Sequence, residues 1–191
     1  MVYGQDWGAA FAMELAIREP KWIKGIILSN GLVPPTELKA PLALRTWSFF
    51  AKYMSVLTVG LIVQMGTKKQ MSRKELKGFD LPFKSQKEKK AIGVFPQWAT
   101  SQRESKADFA DSWKKLSQLH TPTLCLFSAK DKYTTGGYAY ILKHIPGCVN
   151  QKHQKVDAGH FIQEDVPDML IDHIHPFCKK YINQFEKVEA E

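Results

Sequence analysis

The chain reads as an α/β fold: part of a mostly parallel sheet, interrupted by a helical insertion. Three observations predict it. Residues 1–30 run strand, tight turn, helix and strand, which is one βαβ unit. From Pro34 to about Leu119 no strand pattern appears. The sheet pattern then returns at Thr123-Leu124-Cys125-Leu126-Phe127, a short apolar run introduced by Pro122.

Met1-Val2-Tyr3 is the end of an extended segment, and Gly4-Gln5-Asp6-Trp7-Gly8 is a tight turn. Residues 9–18 are good helix formers throughout, and Pro20 stops that helix. Lys24-Gly25-Ile26-Ile27-Leu28-Ser29-Asn30 is apolar and short, as a buried parallel strand should be. The insertion is aromatic first (Trp47, Phe49, Phe50, Tyr53), then basic, and is expected to break at Phe95-Pro96. After the strand at 123–127, Ser128-Ala129-Lys130-Asp131 forms its closing loop. Residues 138–144 suit a short helix closed by Pro146-Gly147, and Gln154-Lys155-Val156 is a weak strand leading to Asp157-Ala158-Gly159-His160. A last helix is expected from Asp165 or Pro167, bent at Pro176. Its apolar stripe is Leu170, Ile171, Ile174, Phe177, Tyr181, Ile182 and Phe185. The expected division is core at 1–33, helical cap at 34–119 and core again at 120–191.

Composition sets outer limits. The 191 residues are 44% hydrophobic and 24% charged, which excludes a disordered or low-complexity chain. The net charge of +8 suggests an anionic partner, but residues 68–90 alone carry +6 of it. No nucleic-acid motif accompanies that run and the aromatics lie outside it, so nucleic acid is not expected as a partner. A basic, solvated surface is the plainer reading, with an anion-binding module as the rival. Cys125, Cys148 and Cys178 are too few and scattered for a disulfide framework or zinc site, and buried free thiols are expected. No signal peptide is visible, and the apolar stretch at 53–65 falls short of the about 18 residues of a membrane span. A cytoplasmic location is expected.

Gly4-Gln5-Asp6-Trp7-Gly8 has the spacing of a nucleophile elbow, G-x-Nuc-x-G. Small residues belong two before and two after the nucleophile, because a Cβ at either glycine is expected to strike neighbouring backbone. A carboxylate at a helix N-terminus stays ionised and can attack carbon to form an ester. Taken singly, an Asp that merely caps the helix is the plainer reading of Asp6. Asp131 closes a strand at the sheet edge where ligands gather, yet it could be an ordinary turn residue. His160 sits on a loop between a strand and the last helix, where a surface histidine is the plainer reading. Their order, nucleophile then acid then histidine, is that of a hydrolase triad on this fold.

Gly4-Gln5-Asp6-Trp7-Gly8-Ala9 resembles the nucleophile motif of the haloalkane dehalogenases, and next that of the epoxide hydrolases, both of the α/β-hydrolase family. Residues 157–164 resemble the histidine motif of the same group, and residues 128–132 the acid loop of dehalogenases whose acid follows the later strand. Asn30 stands where another subgroup carries its acid, which favours Asp131. The resemblance implies that Asp6 displaces halide, Trp7 donates to it, and His160, oriented by Asp131, activates water against the ester. It implies a small apolar substrate, water as co-substrate and no cofactor or metal. The oligomeric state is left open.

Two departures accompany it. The family's second halide donor comes from the cap, and Thr67 stands near that place; Trp47 and Trp98 read as packing. An epoxide hydrolase would use cap tyrosines, and Tyr53 alone occurs in the insertion. Family members also carry about four strands before the elbow, so the chain reads as a fragment with little turnover of its own. A non-catalytic hydrolase-like protein is the remaining alternative.

Overall fold

A computed structural model gives the structure of residues 1–51, 58–100 and 106–188, with side chains except at 106 and 183–188. Tyr53 and the side chain of Phe185 lie outside the described residues. Four strands, β1 (Val2–Gln5), β2 (Ile26–Ser29), β3 (Thr123–Ser128) and β4 (Gln154–Val156), form one sheet in the order β1-β2-β3-β4. Every pair is parallel: Val2 is level with Ile26, Ile26 with Thr123, and Leu126 with Gln154. Parallel neighbours need a crossover, and α1 (Trp7–Arg18) supplies the first.

β2 and β3 are buried at every position, as strands covered on both faces must be. Side-chain alternation sorts them between two layers. Ile26, Leu28, Cys125 and Phe127 face α1, α6 (Lys106–Leu116) and α7 (Gly137–His144). Ile27, Leu124 and Leu126 face α8 (Ile162–Asp165) and α9 (Pro167–Val188), through Ile162, Leu170, Phe177 and Tyr181. α1 lies close on the sheet because the residues it buries are Ala9, Ala10, Ala12, Ala16 and Met13.

Between β2 and β3 the described residues contain helices and no strand: α2 (Leu42–Ala51), α3 (Val59–Gly66), α4 (Arg73–Asp80), α5 (Lys90–Thr100) and α6. Thr58 caps α3, and Ser72 with Glu75 forms a capping box on α4. The expected break at Phe95-Pro96 does not occur, since Pro96 lies buried inside α5. α5 packs along α2, and the Ser48 and Thr100 hydroxyls bond at 2.7 Å. That packing offsets the one N–H that proline withholds. α9 likewise continues through Pro176. Ile171 and Ile182 stay exposed because they fall off the line of Leu170, Phe177 and Tyr181.

The basic stretch buries none of α4 or the 3₁₀ turn that follows it. Its leading end is nevertheless tied to the core: the Lys68 ammonium meets Asp157 at 2.5 Å, and the backbone N–H groups of Lys68 and Lys69 donate to Asp165. Cys125 and Cys148 are buried, Cys178 is half-buried, and all three are free. Among the described residues no helix is long and apolar enough to cross a membrane.

Candidate active site

Asp6 sits at the junction of β1 and α1 with φ 53° and ψ −121°, a backbone region that side chains rarely adopt. The surroundings hold it there. A Cβ on Gly4 would overlap the Gly8 carbonyl and stand 2.7 Å from Ala9 Cα. A Cβ on Gly31 would overlap the Asp6 carbonyl. Gly8 departs from expectation: a Cβ there meets nothing within 4 Å, because this first-turn residue borders a cavity instead of the opposing backbone. The Asp6 N–H donates to Ser29 O at 3.1 Å, and its carboxylate makes no capping bond to the helix. The cap-only reading of Asp6 therefore does not describe it.

His160 reaches the elbow from the loop after β4. Its Nε2 lies 3.6 Å from Asp6 Oδ1, and its Nδ1 lies 3.3 Å from Asp131 Oδ1. The second approach is an ion-pair distance off the line of a good hydrogen bond, so Nδ1 has no formal hydrogen-bond partner. Such bonds are often loose before substrate binds. Asp131 is neither exposed nor a bare turn residue: its side chain is 2% exposed, accepts the Tyr133 N–H at 2.9 Å and is bonded by the Thr134 hydroxyl. The Asp6 side chain, at 43%, is the open member of the three.

Burial alone would lower the His160 pKa, but pairing with Asp131 and Asp6 outweighs it and pushes the imidazole up to about 10. Burial likewise works to raise the Asp131 carboxyl, and its pairing with His160 reverses this and holds it below the usual range. The arrangement is an imidazolium between two carboxylates.

Trp7 stacks on Trp98 at 5.3 Å and touches Phe95 at 5.1 Å. Trp98 packs on Trp7 yet stays 40% exposed, and Trp47, expected as packing, lines the cavity instead. That cavity, about 340 Å³, is bordered by Asp6, Trp7, Gly8 and His160 on the sheet side. Its other walls are largely apolar: Leu44 and Trp47 from α2, Ile62 and Val63 from α3, Ile92 and Phe95 from α5. A smaller cavity of about 160 Å³ adjoins the same Asp6 and Trp7. Thr67 does not border either one; its hydroxyl is engaged with Gln64. No cluster of metal-suited side chains occurs among the described residues.

Several supporting residues escape a motif search. The buried Asn30 amide donates to Ser128 Oγ, Gly159 O and His160 O, and its Oδ1 accepts the Ser128 N–H at 2.8 Å. The Gln5 amide also donates to His160 O, at 3.0 Å. Gly66 O accepts the His160 N–H at 2.6 Å, and Asp165 accepts the Gly159 N–H at 2.7 Å. The one sequence signal was position, since Gln5 ends β1 and Asn30 directly follows β2, both beside the elbow.

No protein-family model matches the chain. Over 175 residues it is 32% identical to a haloalkane dehalogenase of Mycolicibacterium paratuberculosis, covering 91% of this chain and 58% of that one. A haloalkane dehalogenase of Psychrobacter cryohalolentis is 28% identical over 181 residues, covering 91% and 60%. The chain thus spans about three-fifths of the length of these relatives. Among solved structures, the haloalkane dehalogenase DbeA from Bradyrhizobium elkani aligns with a TM-score of 0.77 at 17% identity, over 95% of this chain and 67% of that one. A putative lipase from Acinetobacter baumannii aligns at 0.74 and 15% identity, over 95% and 61%. The structural likenesses show the fold, and the sequence likenesses set the chain beside the haloalkane dehalogenases: it is an α/β-hydrolase-fold chain similar in sequence to those enzymes.

Proposed function

We propose that this chain carries the catalytic residues of a hydrolytic dehalogenase working through an ester on Asp6. The observation that carries the reading is the line Asp6–His160–Asp131, at 3.6 Å and 3.3 Å, bordering an apolar cavity. An Asp6 oxygen attacks the halogen-bearing carbon, the carbon–halogen pair leaves with the halide, and an alkyl ester remains. Trp7 is the indole donor to that halide. His160 then takes a proton from water at Nε2, hydroxide attacks the ester carbonyl, and the alcohol departs while Asp131 steadies the ring. Alkyl halide and water become alcohol, halide and a proton. The carboxylate pairing has a further consequence: esterification removes the Asp6 charge, one of the two that keep His160 protonated, so the imidazolium gives its proton to solvent more readily and the neutral ring can then accept one from the attacking water.

We read α2, α3 and α5 as a cap that keeps the site dry and selects small apolar substrates. The names of the sequence relatives favour halide over epoxide. The test is trapping, which needs no sustained turnover. His160→Gln treated with 1-bromobutane should gain one butyl group on the peptide containing Asp6, and Asp6→Asn in that background should abolish it. A folded His160→Gln protein that stays unmodified rejects the mechanism. Diol formation from a 1,2-epoxide in place of halide release would move the chain to epoxide hydrolysis.

A further inference from the structure

The acid loop brings one more polar group to the cavity. Tyr133 borders both cavities together with Asp6 and Trp7, although it belongs to no part of the helical insertion. The loop fixes it. Its own N–H donates to Asp131 Oδ1, Thr134 bonds the other carboxylate oxygen, and the Thr135 hydroxyl donates to Asp131 O at 3.4 Å. The ring stands edge-on to the His160 imidazole, with centroids 5.1 Å apart and planes at 67°. Tyr133 is therefore anchored to both fixed members of the triad, and the half-buried residue borders the same cavity as Asp6.

The chemistry of the hydroxyl follows from its surroundings. Among the described residues it has no hydrogen-bond partner. Of the other polar groups at the larger cavity, the Gln5 amide is bonded to His160 O and Asp6 faces His160, which leaves the Trp7 and Trp47 indole N–H groups as the donors beside it. Burial and the adjacent Asp131 charge both keep the phenol protonated. A protonated phenol in an apolar wall, beside a carboxylate nucleophile, is a donor awaiting an anion.

We propose that the Tyr133 hydroxyl donates a hydrogen bond to the leaving group that Asp6 displaces, alongside the Trp7 indole. The proposal rests on the displacement reading above. As the Asp6 oxygen–carbon bond forms, the carbon–halogen bond breaks and its electron pair goes to the halogen. The halide accepts the Tyr133 O–H without taking the proton. With an epoxide, the same proton would pass to the opening alkoxide and solvent would restore it. Donation to an anion against this largely apolar wall should be worth a factor of roughly ten.

The test separates this donor from the displacement itself. Bromide is titrated into the intact chain by tryptophan fluorescence, in the wild type and Tyr133→Phe. The alkylation rate of Asp6 by 1-bromobutane and 1-chlorobutane is followed in His160→Gln with and without Tyr133→Phe. The expected result is a bromide Kd about tenfold weaker and alkylation about tenfold slower, with the larger loss for the chloride, whose departing charge is more concentrated. Denaturation midpoints establish that Tyr133→Phe is folded. Weaker bromide binding with no alkylation in either background keeps the donor and rejects the displacement. Unchanged bromide affinity, no bromide binding in the wild type, or equal alkylation rates overturns the proposal.

Discussion

The side-chain amide of Asn30 donates to the carbonyl of His160 at 2.8 Å, across 130 positions of sequence. Asn30 is fully buried, its φ is 40°, and its Oδ1 takes the Ser128 N–H. One amide thus joins the end of β2 to the end of β3 and to the histidine loop. Asn30→Ala would leave the Ser128 N–H and Gly159 O without these partners and keep the left-handed backbone cost. The expected loss of stability is about 2–4 kcal/mol, read from urea midpoints. Alkylation of Asp6 should suffer less than ester hydrolysis, since only the second step uses the placement of His160.

The two carboxylates at His160 make a second prediction. Burial pulls its pKa down, and Asp131 and Asp6 together push it up to about 10. Replacing Asp6 by Asn removes one of the two charges while preserving shape. The imidazole of Asp6→Asn should therefore titrate well below the wild-type value, toward neutrality, in an NMR pH titration of His160. An unchanged value would show that Asp6 does not govern the protonation of the base.

The same coupling predicts how stability varies with pH. His160 has a folded pKa raised above its ordinary 6.5, so its contribution is complete below 6.5 and fades as pH rises through about 10. Asp131 is held below its ordinary 3.8, so its contribution is complete above 3.8 and fades as pH falls through the lower, folded value. The stability difference between wild type and His160→Gln should therefore be largest near pH 5–6, inside that window, and shrink toward pH 10. Urea midpoints at four pH values measure it, and a constant difference contradicts the assignment.

What was legible in the sequence was local. Asp6, Asp131 and His160 each follow a strand within a few residues, so chain order and turn residues were enough to pick them out. β2 and β3 announced themselves by short apolar runs. What was hidden depends on contacts between distant segments. Asn30 looked like a position vacated by an acid, and its bonds to Gly159 and His160 appear only once three strands are side by side. The place of Tyr133 at the cavity is hidden because the acid loop lies far in sequence from the insertion with which it shares that cavity. Pro96 misled because local chemistry cannot show the neighbouring helix that holds α5 together. The basic stretch reads as solvated surface, yet the Lys68 and Lys69 backbones are pinned by Asp165, which also holds Gly159.

The two elbow glycines should respond in opposite ways, although the motif treats them alike. A methyl at Gly4 overlaps the Gly8 carbonyl and crowds Ala9 Cα at 2.7 Å. Neither neighbour can yield cheaply, because β1 is hydrogen-bonded to β2 and α1 is pressed to the sheet through its alanines. Gly4→Ala should cost about 3 kcal/mol and relax the strained Asp6 backbone, so that alkylation is lost along with stability. A methyl at Gly8 meets open space and replaces a flexible residue in the first turn of α1. Gly8→Ala should leave stability unchanged or raise it by up to about 1 kcal/mol. Its methyl projects toward the cavity, so bulky haloalkanes should alkylate Asp6 more slowly while small ones are unaffected. Denaturation midpoints and alkylation rates across a series from bromoethane to bromohexane distinguish the two glycines, and equal losses for both would refute the steric account.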